Sequence, residues 1–237
     1  MMDRFFYAPP ESFSDSGEVL LPPDESKHAV KVLRLGVGDE MMVVDGQGFA
    51  AQVEIMDADR TAVHGRILST YTNLGEPPLK LTIGLSLLNR ERRYHVFLEK
   101  AVELGVTSII PMMCARTQFK GDWREDRGIH VMKAAMKQCQ RSRFPELHRL
   151  TSFENSVKEG SLIADHRADL SISEVINPSD DDLRILVGPE GGFTDDERTL
   201  AISRGAITVN LGRNRLRAET AAICCATIAM ISRMSHL

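Results

Sequence analysis

Apolar and polar positions along the chain follow two rhythms, and the change between them falls near residue 73. Before it, short apolar runs alternate with turn residues. Met41-Met42-Val43-Val44 leads into the turn cluster Asp45-Gly46-Gln47-Gly48, and Ala50 to Met56 comes next. Asp57-Ala58-Asp59-Arg60 turns the chain again, and Thr61 to Leu68 carries β-branched residues at Thr61, Val63 and Ile67. Runs of this length bounded by Gly and Asp predict a meander of short strands, which closes most easily into a small barrel. One helix is predicted within it, from about Asp24 to Leu35, with Asp24 as N-cap and Gly36 as its stop. Ala29, Val30 and Leu33 share its apolar face, which leaves His28, Lys31 and Arg34 nearer the solvent.

Asn73-Leu74-Gly75-Glu76-Pro77-Pro78 breaks the pattern and reads as a linker. Beyond it, predicted strands and helices alternate. Leu79 to Leu88 is a strand, Glu91 to Leu104 a helix stopped by Gly105, and Val106 to Pro111 the next strand. Asp126 to Gln140 is a helix with Ile129, Met132, Ala135, Met136 and Cys139 at helical spacing. Ser161 to Ala164 and Arg184 to Val187 are two more short strands. Such alternation predicts a parallel sheet covered on both faces. The last helix, about Glu219 to Met234, is apolar nearly all round and must be buried on more than one side. A second copy of the chain is the economical cover, so a homodimer through the C-terminal domain is expected.

Composition narrows the class of protein. Hydrophobic residues at 43% are enough for a real core, and a net charge of −4 excludes a chain that coats nucleic acid through overall basicity. Any nucleic-acid-binding surface must be local. Cys114, Cys139, Cys224 and Cys225 form no CxxC pair, so neither a zinc site nor a disulfide framework is expected. The start of the chain lacks the apolar core of a signal peptide, and no apolar run is long enough to span a bilayer. A cytoplasmic protein with no membrane partner and no metal is expected.

The most informative stretch runs from Arg184 through Val187-Gly188-Pro189-Glu190-Gly191-Gly192-Phe193 to Glu197. A buried strand enters a glycine turn and then a helix opened by a capping box, with Thr194 as N-cap and Glu197 three residues on. Ligands of α/β sheets bind beyond the carboxyl ends of strands, where glycines let the backbone approach them. A phosphate loop needs a lysine or an uncluttered helix start, whereas Glu190, Asp195, Asp196 and Glu197 crowd this one. The charges therefore point to a ligand with a positive centre, such as a sulfonium or ammonium. A tight turn with no ligand at all is the plain alternative.

A second strand-loop-helix element comes after it, Ile207 to Val209, then Asn210-Leu211-Gly212-Arg213-Asn214-Arg215-Leu216-Arg217-Ala218-Glu219-Thr220-Ala221. Three arginines precede a helix start that would normally prefer acids, which marks Arg213, Arg215 and Arg217 as candidates for function. Together, Gly188 to Phe193, Leu211-Gly212 and Leu216 to Ala221 resemble the 16S ribosomal RNA uridine N3-methyltransferase family (ribosomal small subunit methyltransferase E), of the SPOUT class. Glu99 to Val106 through Pro111, Lys137 to Arg141 before Pro145, Arg4-Phe5-Phe6, and His28 to Arg34 with Gly38-Asp39 beyond it also fit. Asn214, Arg215, Ala218 and Asn89-Arg90 depart from the family pattern.

The resemblance implies a PUA-like RNA-binding β-barrel over 1–73 and a SPOUT α/β domain over 74–237, with a deep trefoil knot at about 184–222. It implies S-adenosyl-L-methionine held by Val187, Gly188, Pro189, Glu190, Gly191, Gly192, Leu211, Gly212 and Leu216. The implied reaction is methylation of uridine N3 in 16S ribosomal RNA, free or in the assembled small subunit. Loss of the N3 proton puts negative charge on the ring, and a guanidinium there stabilises it. Arg217 is expected in that role, with Arg141 contributing across a dimer interface. Glu219 either positions the base edge or assists proton removal, and Thr220 holds the loop, although both residues also suit plain helix capping. RNA contacts are expected from Arg4, His28, Arg34, Arg90, Lys100 and Arg143, with Arg92 and Arg93 nearby. Two rivals remain: the same chemistry on another RNA such as a transfer RNA, and a non-catalytic RNA-binding assembly factor.

Overall fold

A computed structural model describes residues 4–234, which divide into two compact units. The first runs to Glu76 and also takes in Lys133–Phe144; the second holds Pro77–Met132 and the chain from Pro145 onward.

The first unit contains β1 (Phe5–Tyr7), β2 (Glu18–Leu20), α1 (Pro23–Lys27), β3 (Glu40–Val44), β4 (Phe49–Ala58) and β5 (Val63–Thr72). β3, β4 and β5 form the antiparallel meander read from the sequence. Two strands not foreseen flank it: β1 joins β3 in parallel, and β2 joins β5 antiparallel. Register shifts between β4 and β5, at Gln52/Val53 and Ile55/Asp57, bend the pair. The sheet thereby curls, and Phe6, Val19, Met41, Val53 and Val63, one from each strand, meet in a single buried core.

The helix in this unit departs from expectation. Pro22 is the N-cap and Pro23 the first helical residue, so Asp24 lies inside the first turn. Proline fits that position because its fixed φ suits the helix and the missing N–H is unneeded there. After Lys27 the backbone widens to a π-helical turn over His28–Val32, and Leu33 N–H reaches His28 O at 3.1 Å. The wider turn rotates the residues beyond it, so Ala29 is buried while Leu33 is 41% exposed. The chain leaves the helix at Arg34, at φ +56°, two residues before the expected Gly36 stop.

The second unit begins with β6 (Lys80–Ser86), α2 (Glu91–Glu103), β7 (Ser108–Met113) and the start of α3 (Glu125–Gln138), a helix whose residues from Lys133 on group with the first unit. It continues with β8 (Glu146–Leu147), β9 (Thr151–Ser152), α4 (Phe153–Ser156), β10 (Leu162–Ala164) and α5 (Ile172–Val175). β11 (Asp182–Val187), α6 (Asp195–Ser203), β12 (Ile207–Val209) and α7 (Ala218–Met234) complete it. The sheet order is β12-β10-β11-β6-β7-β8, with β9 also on β7, and every pairing is parallel. β6 is buried at six of its seven positions, as a strand covered on both faces must be.

α7 packs on α2, β6 and β11. Ala222, Cys225, Ala226 and Ala229 form its fully buried stripe, at helical spacing. The opposite side is apolar too, and Ile231 there is 58% exposed. Among the described residues no helix is long and apolar enough to cross a membrane.

Candidate active site

The chain passes from β6 to β7 and β8 on one side of the sheet and returns through β10, β11 and β12 on the other. Strand order therefore reverses beside β6 and β11, and a crevice is expected at the carboxyl ends there. A cavity of about 900 Å³ occupies that place. Its walls are the loops leaving five strands: Arg90 after β6, Arg116 after β7, Asp165 to Arg167 after β10, Val187 to Phe193 after β11, and Leu211 to Ala218 after β12.

The turn after β11 is held from below and from the side. Gly192 N–H closes it on Pro189 O at 2.8 Å, and Gly192 takes φ +68°. Phe193 is buried, and a Cβ on Gly188 would lie 3.2 Å from its ring. α6 then starts with the expected capping box: Thr194 Oγ1 accepts from Glu197 N–H, and Glu197 Oε2 accepts from Thr194 N–H at 2.8 Å. The acids of this helix are not turned on the cavity, which corrects the charge argument drawn from sequence. Glu197 is spent on the cap and on Ala115 N–H, and Asp195 pairs with Arg167 at 2.7 Å. Only Glu190 and Asp165 bring carboxylates to the wall, against Arg90, Arg93, Arg116, Arg167, Arg215 and Arg217.

Arg93, on α2, ties the two loops together. Its Nη1 donates to Glu190 Oε1 at 2.6 Å, its Nε donates to Glu219 Oε1 at 2.7 Å, and its Nη2 donates to Glu219 Oε2. Burial pushes the Glu219 carboxyl up, but the Arg93 hydrogen bonds, Glu219's own backbone N–H and the Arg93 and Arg217 charges outweigh it. The group is held below the usual glutamate value. Arg217 itself lines the cavity, is exposed, and among the described residues its side chain has no hydrogen bond or ion pair.

All nine residues expected at the cofactor border this one cavity. Of the four expected catalytic residues, Arg217 lines it, and Glu219 stands behind the wall through Arg93. Thr220 is exposed on the first turn of α7 and does not line the cavity. Arg141 does not line the cavity: it is 3% exposed and pairs with Glu76 at 2.7 Å inside the first unit. A charge so buried needs a fixed partner, and Glu76 supplies one.

Among the expected RNA contacts, Arg90 lines the cavity, and Lys100 is held between Glu99 and Glu103 on α2. Arg4 pairs with Asp39 at 3.4 Å, Arg143 donates to Asn73 Oδ1 at 3.0 Å, and His28 and Arg34 are exposed. Sequence reasoning missed Arg116 and the Asp165-His166-Arg167 corner. Both come directly after strand ends, and that position was the available signal. It also grouped Arg93 with the RNA contacts, because a tie between two distant loops has no local signature.

An all-parallel sheet with a glycine-walled cavity at its carboxyl ends, joined in one chain to a curled and mostly antiparallel unit, defines a two-part α/β enzyme. The chain belongs to the RNA methyltransferase domain family, whose model matches residues 75–230, and residues 21–68 match the RNA methyltransferase PUA domain. It is similar to ribosomal RNA small subunit methyltransferase E of Mycobacterium tuberculosis, 28% identical over 238 residues and covering 94% of this chain and 89% of that protein. The enzyme of the same name from Neisseria gonorrhoeae, solved bound to S-adenosyl methionine, shares 28% identity at a TM-score of 0.85, covering 99% of this chain and 98% of that one. A methyltransferase from Legionella pneumophila, solved with the same cofactor, matches at 27% identity and a TM-score of 0.85 over 96% of each chain.

Proposed function

We propose that this protein transfers a methyl group from S-adenosylmethionine to N3 of one uridine in small-subunit ribosomal RNA. The observation that carries the reading is that two glycine-bearing loops, after β11 and β12, bound one cavity that Arg217 also lines. The cavity fits the cofactor in three ways. Its volume of about 900 Å³ suits a nucleoside-sized ligand. Val187, Leu211, Leu216, Ala218 and Ala221 offer apolar wall to a purine. Glu190 Oε2 is buried with no hydrogen-bond partner among the described residues, an acceptor suited to an ammonium or N–H donor.

When bound, the cofactor supplies a methyl group on a sulfonium. The chain does the rest. Val187 to Gly192 and Leu211 to Leu216 hold the donor, and Arg217 faces the base. As the N3 proton passes to solvent water, negative charge spreads to the uracil oxygens, and the Arg217 guanidinium stabilises it. Glu219, tied to Arg93 with its carboxyl held acidic, is a poor proton acceptor near neutrality. It acts as a positioning residue that sets the start of α7 and thereby Arg217, and Thr220 continues that first turn.

Arg90, at the cavity, and the exposed His28 and Arg34 of the first unit are the RNA contacts this reading favours, together with Arg4, Arg143 and Lys100. The exposed Ile231, with the half-buried Ile223, Cys224 and Ile228 on α7, supports a homodimer through that helix. A knotted crossing over about 184–222 is part of this proposal. Such a protein acts in the cytoplasm, on the RNA or the assembled subunit. Mass spectrometry of ribosomal RNA nucleosides from a deletion strain tests the reading. Loss of 3-methyluridine from small-subunit RNA, restored by the gene, is the expected result; its persistence removes the proposal.

A further inference from the structure

The loop after β7 lays the side chain of Arg116 on the glycine turn after β11. Arg116 Nη1 donates to Gly191 O at 2.9 Å and to Phe193 O at 3.3 Å. Its aliphatic stem lies across Gly191: a Cβ built there would meet Arg116 Cβ at 3.2 Å and Cδ at 3.3 Å. A side chain at Gly191 would therefore crowd the Arg116 stem, which would have to shift by a few tenths of an ångström.

The loop is itself anchored. Thr117 Oγ1 accepts from Cys114 N–H at 2.8 Å and shares a hydrogen bond with Ser86 Oγ at 2.8 Å. Ala115 N–H donates to Glu197 Oε1 at 2.8 Å, while the other oxygen of Glu197 caps α6 at Thr194. A closed circuit results, from Glu197 to Ala115, through Arg116 to Gly191 and Phe193, and along the chain through Thr194 back to Glu197. It joins the ends of β7 and β11 across β6.

We propose that Arg116 is a positioning residue for the methyl donor, fixing the carbonyls of Gly191 and Phe193 so that the turn keeps its binding shape before the donor arrives. This rests on reading the cavity as the donor site. Hydrogen bonds from a guanidinium to a neutral carbonyl are stronger than those between neutral groups. Arg116 is also exposed, so removing it leaves the core intact. Its effect should fall on ligand affinity rather than on folding.

Titration calorimetry with S-adenosylhomocysteine on wild type, Arg116→Ala and Arg116→Lys tests this, alongside thermal melts and filter binding of ribosomal RNA from a deletion strain. Arg116→Ala should raise the donor-product Kd about 10–100-fold. Its RNA affinity should be unchanged and its melting point within about 2 °C of wild type. Lysine, which still offers one donor to Gly191 O, should recover part of the loss. Gly191→Ala should weaken binding more in wild type than in the Arg116→Ala background, where the stem it meets is gone. Unchanged Kd in Arg116→Ala overturns the assignment, and so do parallel losses of donor and RNA binding. No uptake by folded wild type removes the functional reading itself and this assignment with it.

Discussion

Arg93 and Glu219, 126 positions apart in the chain, meet as a two-pronged pair in which Nε and Nη2 of one face the two carboxylate oxygens of the other. The pair joins α2 to the first turn of α7. The third nitrogen, on Glu190, brings the glycine turn into the same network. Because the folded carboxyl of Glu219 titrates below its unfolded value of 4.5, its contribution to stability is complete above about pH 4.5. That contribution is lost as pH falls through the lowered folded value. Urea melts between pH 7 and pH 3 should show an acid limb in wild type that is shallower in Glu219→Gln. At pH 7, Arg93→Ala should lower stability by about 2–3 kcal/mol, because it leaves Glu219 buried without its partner. A loss below about 0.5 kcal/mol would mean the pair is ornamental.

Arg217 has the opposite character. Its side chain makes no hydrogen bond or ion pair among the described residues and only lends its charge to Glu219, so its removal should shift the melting point by no more than about 2 °C. Arg217→Ala should slow single-turnover methylation by about 10²–10³-fold, the usual loss when one donor to a developing oxyanion is removed. Its affinity for S-adenosylhomocysteine should stay within about twofold of wild type. Normal turnover in this variant would dismiss the electrostatic role.

Gly212 stands at φ +102°, outside the wells open to L-residues, and a Cβ there meets no atom within 4 Å. Substitution by alanine is therefore strained by backbone conformation alone, by about 1–2 kcal/mol. Gly17, at φ +80° and equally open, lies in the other unit and away from the cavity lining. Gly212→Ala should lose stability and S-adenosylhomocysteine affinity together, while Gly17→Ala should lose stability only. Equal affinity in the two variants would exclude the second loop from the donor site.

The sequence made local features readable and left distant pairings dark. Thr194 and Glu197 are three residues apart, so the capping box could be seen at once, and the strand-glycine-helix order around it placed the cavity. The other half of Glu197's work, accepting from Ala115, joins segments 82 residues apart and leaves no mark on local spacing. Acids near a helix start point to a facing ligand only while their partners are hidden, and nothing in the chain order shows Arg167 coming over from β10 to neutralise Asp195. The grouping of Lys133–Phe144 with the first unit is equally silent, since Met132, Ala135 and Met136 keep one apolar rhythm across the division. The π-helical turn at His28–Val32 was hidden for another reason: it adds no residue type of its own, only a wider hydrogen bond.

Arg141 provides the sharpest separation between structure and chemistry. Its guanidinium pairs with Glu76 Oε2 through Nη2 at 2.7 Å and Nε at 3.2 Å, and Glu76 Oε1 accepts the backbone N–H groups of Ser142 at 3.1 Å and Arg143 at 2.8 Å. One carboxylate thus pins three consecutive residues, and the side chains of the pair are 4% and 9% exposed. Removing the cation strands a buried acid, so Arg141→Ala should destabilise the protein by about 3–5 kcal/mol. The folded fraction should still bind S-adenosylhomocysteine with wild-type affinity, because neither partner lines the cavity. Denaturant melts and calorimetry on one preparation decide it. A stable Arg141→Ala protein that binds donor normally yet cannot methylate would restore Arg141 to the reaction and overturn its place as a structural cation.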